Sequence, residues 1–144
     1  MEQAKLKSDA DRASFEGKVV LVTGASSGIG AACVNEFVEN GAAVIAVDFQ
    51  DEEHFESSSI LNLRCDVTDS KQIADAVLLG VKHFGGIDIL VSNAGNFPPS
   101  QELDLLTDEN WDKSIELNLS SHMRVMRACV PYLREGFDPS VVII

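Results

Sequence analysis

The chain has 144 residues, enough for one domain or for part of a larger one; 45% of them are hydrophobic and 24% are charged. That balance is ordinary for a folded globular protein and argues against a disordered chain. The formal net charge of −12 repels phosphate backbones and anionic membranes, so general binding to nucleic acids or membrane surfaces is disfavoured. The charge does not exclude one bound phosphate, because backbone dipoles can hold an anion without basic side chains.

Two features of the composition bear on the cellular compartment. Cys33, Cys65 and Cys129 are too dispersed for a metal knuckle or a disulfide framework, so we expect small buried hydrophobes. Residues 1–14 are polar and are expected to form a flexible segment, and the chain has no run of about 18 apolar residues. We therefore expect a cytoplasmic protein with neither nucleic acid nor membrane as a partner.

Five short apolar runs alternate with helical patterns along residues 15–144. The runs predict strands at residues 19–22, 43–47, 61–67, 87–91 and 141–144. Hydrophobic residues that recur about every four positions predict helices that end near residues 41, 85 and 136, and the polar stretch 50–59 is expected to be a loop. The pattern predicts an α/β fold: a Rossmann-like, doubly wound parallel sheet in three layers. Because the fifth run is apolar with nothing after it, we expect the domain to continue beyond Ile144.

Two of the predicted helices carry recognisable N-terminal caps. Asp69 and Gln72 have the spacing of an N-cap residue and its reciprocal partner. Thr107 can cap the last helix, with Asp108 and Glu109 favourably placed at its positive end.

The last predicted helix also carries a stripe of large apolar side chains. Trp111, Ile115, Leu119, Met123 and Met126 recur at nearly helical spacing. Such a stripe is more often part of the core than a ligand contact, so we expect these side chains to be buried.

The three histidines do not form a metal-binding pattern. His54, His83 and His122 share no spacing typical of metal ligands, so no metal site is expected. We expect all three to have surface or helix-capping roles.

A glycine-rich turn joins the first predicted strand to the first predicted helix, and its sequence is Thr-Gly-Ala-Ser-Ser-Gly-Ile-Gly over residues 23–30. Gly24 allows a tight reversal, Gly28 lets a phosphate approach the backbone, and Gly30 lets the helix pack closely on the sheet. The helix N-terminus offers free N–H groups to a pyrophosphate, and the hydroxyls of Ser26 and Ser27 can add donors. With the glycines alone, a plain Gly-Ser connection explains the turn about equally well.

Asp48 favours the nucleotide interpretation. It lies 18 residues after Gly30, at the end of the second predicted strand. A carboxylate there accepts hydrogen bonds from a ribose and repels a 2′-phosphate, and neither Ser27 nor Phe49 offers a cation to bind one. The expected cofactor is therefore NAD rather than NADP. A P-loop is excluded because no Lys-Ser/Thr pair follows Gly28, whereas a methyltransferase remains an alternative on these residues.

Residues 23–30 resemble the cofactor signature Thr-Gly-x-x-x-Gly-x-Gly of the short-chain dehydrogenase/reductase family, and four later stretches match its motifs in order. Cys-Asp-Val-Thr at 65–68 resembles the segment whose Asp, here Asp66, meets the adenine ring. Ser-Asn-Ala-Gly at 92–95 is similar to Asn-Asn-Ala-Gly, with Ser92 replacing the first Asn. Residues 111–120 resemble the helix that holds an active-site Asn, here Asn118, and 140–144 resembles the strand before the catalytic Ser. The resemblance covers 15–144 and disfavours the methyltransferase.

The resemblance implies a hydride-transferring oxidoreductase that acts on a small alcohol or carbonyl substrate and forms a homo-oligomer. The implied cofactor-binding residues are Gly24, Ser26, Ser27, Gly28, Ile29, Gly30, Asp48, Phe49, Asp66, Val67, Asn93, Ala94 and Gly95.

Of the family's catalytic residues only Asn118 can be assigned here, and its alternative role is that of a polar residue inside a helix. The family's Tyr acts as the general acid/base, and a Lys four residues later lowers its pKa. The only tyrosine, Tyr132, is followed by Leu-Arg-Glu-Gly and is not that residue. The Ser, Tyr and Lys would follow Ile144, so we expect the 144-residue chain to be inactive alone. The alternative is a non-catalytic protein that binds a dinucleotide or a partner.

A narrower resemblance concerns two loops. Residues 93–100 and 137–142 are similar to the dehydrogenase part of bifunctional aldolase/short-chain dehydrogenases, which join a rhamnulose-phosphate aldolase to a lactaldehyde-oxidising unit. This resemblance implies a small hydroxy-aldehyde substrate such as lactaldehyde, bordered by the loop 96–102, which Pro98 and Pro99 stiffen.

Overall fold

The computed structural model describes residues 14–50 and 55–144, whose five strands are all parallel. The strands are β1 (Val19–Thr23), β2 (Ala43–Asp48), β3 (Ile60–Arg64), β4 (Ile89–Ser92) and β5 (Ser140–Ile143). Most of the predicted N-terminal segment, His54 and residues 51–54 of the predicted loop lie outside the described residues.

The helices follow the predicted order. They are α1 (Gly28–Glu39), α2 (Ser70–Phe84), a short 3-10 helix (Leu103–Leu105), α3 (Asp108–Ile115) and α4 (Ser121–Leu133). A π-helical turn, Glu116–Ser120, joins α3 to α4 without a break. In the sheet the strand order is β3-β2-β1-β4-β5, so the chain reverses its direction of winding between β1 and β4. The Rossmann-like fold predicted from the sequence is therefore confirmed, and its topological switch point lies where the carboxyl ends of β1 and β4 diverge.

Helices cover both faces of the sheet at β1, β2 and β4, because these strands are apolar on both faces, whereas β5 is exposed along its length. Leu21, Ile45 and Leu90 point to one face and form a core with α2 and α4. Val20 and Val44 point to the other face and form a second core with α1. The three layers predicted from the uninterrupted apolar runs follow from this double burial.

The third strand ends at Arg64, three residues earlier than predicted. The backbone N–H of Cys65 still donates to the Asp48 carbonyl at 2.7 Å, but the Asp66 carboxylate then accepts hydrogen bonds from the N–H and hydroxyl of Thr68. This local turn ends the ladder even though the buried Val67 continues the apolar pattern.

The N-terminal cap of α2 differs in one detail from the prediction, whereas the cap at Thr107 does not. Asp69 caps α2, since its carboxylate accepts from the backbone N–H groups of Lys71 and Gln72 at 2.8 and 3.2 Å. The Gln72 side chain, however, accepts from the N–H of Asp66, because the N–H of Asp69 already donates to the Asp66 carbonyl. The predicted cap at Thr107 is confirmed, because its hydroxyl accepts from the N–H of Asn110.

Two of the three cysteines are buried as predicted, whereas Cys33 is half-buried. Burial raises the pKa of Cys129 to about 12. Burial, together with the nearby carboxylates of Asp66 and Asp69, raises that of Cys65 to about 11. Both thiols therefore stay protonated at neutral pH, as inert core residues do.

The prediction that the apolar stripe of the last helix is buried is wrong for three of its five members. Trp111, Leu119 and Met123 have 55, 63 and 46% of their surface exposed. The π-helical turn inserts extra backbone into the helix and changes the direction of Leu119 and Met123 around the axis, whereas Trp111 precedes the turn and its exposure is not explained by it. The face of α4 that enters the core is instead formed by Val125 and Cys129, with Met126 at its edge.

At the amino end of the sheet, Asp88 links the start of β1 to the segment that leads into β5. One carboxylate oxygen accepts from the N–H of Val19 at 2.9 Å, and the other accepts from the N–H of Phe137 at 2.8 Å. The start of β1 and the connection into β5 are thereby attached to the residue that precedes β4.

Gly80 on the buried face of α2 gives a test of this packing. A Cβ there would lie 2.4 Å from Cδ1 of Ile45, which is completely buried, so the side chain would have to move within a packed core. We expect Gly80→Ala to lower the free energy of unfolding by about 1–3 kcal/mol through overpacking, although alanine favours a helix. Gly86→Ala is the control, since a Cβ at Gly86 meets nothing within 4 Å. Urea denaturation measures both variants, and equal stability would contradict the packing argument.

Candidate functional site

An open cleft of about 650 Å³ lies at the carboxyl ends of the strands. Its walls bring together most of the residues singled out in the sequence: Gly24, Ser26, Ser27, Ile29, Asp48, Phe49, Asp66, Val67, Asn93, Ala94 and Gly95. Asn96, the first residue of the loop expected to border the substrate, also lines it, as do five residues that the sequence did not single out for the site: Gln50, Cys65, Thr68, Lys113 and Leu117. Lys113 and Leu117 could have been found from their helical spacing, four residues apart and ending next to Asn118.

The glycine turn has the geometry that its sequence predicts. Gly24 and Gly28 have φ angles of +66° and +54°, in the left-handed region that side chains disfavour. At Gly30 a Cβ would lie 2.0 Å from the Gly24 carbonyl oxygen, so the helix is too close to the turn for any other residue. At Gly28 the space is open, which leaves room for a ligand to approach the backbone.

The N-terminus of α1 faces this open space. Ser27 is the N-cap residue in an extended conformation, and among the described residues no side chain caps the helix and no acid stands in its first turn. The first N–H groups of α1 therefore remain available to an anion, in a protein whose net charge is strongly negative.

Asp48 stands at the end of β2, beside the turn. Its carboxylate accepts from the backbone N–H of Ser26 at 3.0 Å and from that of Gln50 at 3.1 Å. Partial burial by itself raises the pKa of Asp48, but hydrogen bonds from the backbone and side chain of Ser26, and from the N–H groups of Gln50 and Phe49, outweigh it and lower the pKa. The rim of the cleft thus carries a fixed negative charge at neutral pH.

Asn93 and Thr23 join the carboxyl ends of β4 and β1. The Thr23 hydroxyl accepts from the N–H groups of Asn93 and Ala94 at 3.0 and 3.1 Å. The Asn93 amide nitrogen donates to the carbonyls of Thr23 and Gly24 at 3.0 and 3.2 Å. The loop after β4 is thereby held against the glycine turn across the switch point.

Asn118 lies in the π-helical turn and reaches the same loop. Its amide nitrogen donates to the Asn96 carbonyl at 2.9 Å, and its amide oxygen accepts from the Asn96 N–H at 2.9 Å. A third bond runs to the Ser114 hydroxyl at 3.2 Å. Asn118 is therefore bonded to the loop after β4, and its catalytic role stays a prediction.

His122 corrects the prediction of a surface or capping role. It is buried, and its Nδ1 shares a hydrogen bond of 2.7 Å with the hydroxyl of Ser92, which is 1% exposed. His83, by contrast, is exposed in the last turn of α2, as predicted.

Three further findings concern the described residues outside this cleft: the place of Tyr132, the search for a metal cluster and the search for a membrane-spanning helix. Tyr132 lines a different pocket, with Gly17, Gly86 and Asp88, at the opposite end of the sheet. Across residues 14–50 and 55–144, no three His, Cys, Asp or Glu side chains are grouped so that they could hold a metal ion. No helix in those ranges has the length and apolarity needed to cross a bilayer.

Comparison with known proteins identifies relatives along nearly the whole chain. A family model described as short chain dehydrogenase matches residues 18–144. L-Fucose dehydrogenase of Oryctolagus cuniculus is 37% identical over 132 residues, which are 88% of this chain and 46% of that protein. Human 15-hydroxyprostaglandin dehydrogenase (NAD(+)) is 39% identical over 115 residues, 73% of this chain and 40% of that protein. The chain thus spans less than half the length of these two relatives.

Solved structures show the same similarity. Ligand-free aldohexose dehydrogenase of Thermoplasma acidophilum superposes with a TM-score of 0.82 at 32% identity and covers 90% of this chain and 49% of that one. The 3-ketoacyl-(acyl-carrier-protein) reductase of Brucella melitensis, complexed with NADH, gives a TM-score of 0.79 at 32% identity, with 85 and 52% of the two chains covered. Together with the five sequence motifs, these matches show that the chain belongs to the short-chain dehydrogenase/reductase family.

Proposed function

We propose that the complete protein is an NAD-dependent oxidoreductase that interconverts an alcohol and a carbonyl compound. The observation that carries the proposal is the position of the Asp48 carboxylate beside the open N-terminus of α1, in the same cleft as Asp66 and Asn93. When bound there, the nicotinamide would supply the hydride acceptor or donor. The relatives include one named for NAD(+) and one solved with NADH.

The residues of the cleft fit such a dinucleotide. The N–H groups at the start of α1 and the hydroxyls of Ser26 and Ser27 would hold the pyrophosphate, with Gly28 leaving it room. Asp48 would accept from the adenosine ribose, and Asp66 and Val67 line the part of the cleft proposed for the adenine.

Asp48→Ala tests the cofactor proposal. Because the variant loses charge-assisted hydrogen bonds to the ribose, we expect its affinity for NAD⁺ to fall about tenfold or more. Its affinity for NADP⁺ should not fall, since the repulsion of a 2′-phosphate is also lost. The matched control is Asp75→Ala, which removes the same charge from an exposed pair with Lys71 on α2. Calorimetric titration of the complete gene product measures both cofactors, and tighter binding of NADP⁺ by the wild type would refute the assignment.

For the substrate we propose a small hydroxy-aldehyde or a sugar. The support is that two relatives are named for L-fucose and for aldohexose. The loop proposed to border the substrate is exposed and apolar at Phe97, next to the residue that Asn118 contacts. Lactaldehyde in particular stays a prediction, as does the cytoplasmic location.

Asn118→Ala tests the catalytic proposal in the complete gene product. We expect NAD-linked oxidation of L-fucose or lactaldehyde, and a kcat lowered by about 10²-fold in the variant, because the family's active-site Asn, here Asn118, holds a water through which the proton of the general acid/base is passed on. Asn110→Ala, an exposed change in α3, is the control.

A chain ending at Ile144 should show no turnover. Turnover by that short chain, or an unchanged kcat in Asn118→Ala, would contradict the proposal, and NAD⁺ binding without any turnover would favour the non-catalytic alternative.

We further propose that the complete protein forms a homo-oligomer through the exposed stripe of Trp111, Leu119 and Met123. These large apolar side chains share the surface of one continuous helix and project from an otherwise acidic protein. A second copy of the chain would bury them.

A charge placed in this stripe tests the oligomer. Leu119→Glu should convert the complete gene product to a monomer, because an unpaired carboxylate would be buried at the interface. Leu79→Glu is the control, since Leu79 is similarly exposed on α2, away from the stripe. Sedimentation velocity measures the mass, and an unchanged oligomer in Leu119→Glu would contradict this interface.

A further inference from the structure

We propose that Ser92 and His122 form a positioning pair, which holds the helix that carries Asn118 in register with the loop that follows β4. This inference rests on the proposed function, because the loop and Asn118 belong to the proposed cofactor and substrate site. Neither residue lines the cleft, so the pair would act through its neighbours and would not touch a ligand.

The pair is built in the interior of the protein. Ser92 is 1% exposed and His122 is 8% exposed, and the Ser92 hydroxyl lies 2.7 Å from Nδ1 of the imidazole. A buried polar group without a partner costs stability, so each of these side chains makes the other tolerable in the core. The bond joins residues 30 apart in the sequence, one in a strand and one in a helix.

Ser92 and His122 lie next to the two anchor points of the loop 93–96. Ser92 is the last residue of β4 and directly precedes Asn93, which is bonded to the glycine turn. His122 lies one helical turn after Asn118, whose amide holds both backbone groups of Asn96. The loop from 93 to 96 is thus tied to the sheet at one end and to the helix at the other, and the Ser92–His122 bond fixes the distance between these two anchors.

The pair lies directly after an irregular part of the helix. The π-helical turn Glu116–Ser120 interrupts the regular α-helical hydrogen bonding immediately before His122, so helical bonding alone constrains the direction of the segment less well. The hydrogen bond from Ser92, in the sheet, to His122, the second residue of α4, fixes the position of the helix directly after the turn that contains Asn118.

Three single variants, the double variant Ser92→Ala/His122→Leu and one control test the pair in the complete gene product. Ser92→Ala and His122→Leu remove the bond, whereas His122→Asn keeps a polar atom near the place of Nδ1. Ser121→Ala is the matched control: this serine is equally buried, but its hydroxyl donates within its own helix, to the Leu117 carbonyl. Amide hydrogen exchange at Asn96 and Ala94 reports the positioning directly, and exchange in the core of β1 reports global stability.

We expect exchange at Asn96 to become about tenfold faster in Ser92→Ala and His122→Leu, with β1 unchanged, and to stay close to wild type in His122→Asn and Ser121→Ala. The value of kcat/KM for NAD⁺ should fall about tenfold in either single variant and no further in the double variant, because both changes break one bond. Effects on exchange no larger than in Ser121→Ala, or additive losses in the double variant, would overturn the proposal. If the wild type bound no NAD⁺, the proposed function would fail, while exchange at Asn96 would still decide for or against the pair.

Discussion

The site depends on the junction between the carboxyl ends of β1 and β4. At this point the winding of the sheet reverses, and two neighbouring strands leave a crevice between the loops that follow them. The bonds between Thr23 and Asn93 close the base of that crevice and hold the glycine turn against the loop after β4. Without this junction, the helix N-terminus and the loop would be two separate surface features.

The overall negative charge of the protein and the positive N-terminus of α1 act in opposite directions on an anion that approaches this junction. The net charge of −12 opposes the approach of a pyrophosphate, yet the cleft presents the positive end of a helix dipole and free N–H groups. The carboxylate of Asp48 stands beside these donors and is kept ionised by hydrogen bonds from Ser26 and Gln50. In the complex that we propose, backbone groups would attract the pyrophosphate, and the Asp48 carboxylate would distinguish a ribose hydroxyl from a 2′-phosphate.

The sequence predicted those parts of the fold that depend on local patterns. Apolar runs marked the strands because parallel strands are buried on both faces, and the glycine spacing marked the turn because Gly30 has no room for a Cβ. The end of β3 was missed because the side-chain turn of Asp66 overrides an apolar run. The exposure of Leu119 was missed because a π-helical turn changes the phase of the helix. The burial of His122 was missed because its partner is distant in the sequence, and no local period marks such a pair.

The carboxylate of Asp88 also constrains the order in which the chain assembles. Its two bonds reach across 69 and 49 residues, to the start of the first strand and to the approach to the last. Closing segments of that length costs entropy before any contact compensates for it, which makes folding of such parallel topologies slow. We therefore expect β5, one of the two edge strands of the described sheet, to dock late, and until it does the unpaired N–H and C=O groups of β4 are open to pairing with other chains.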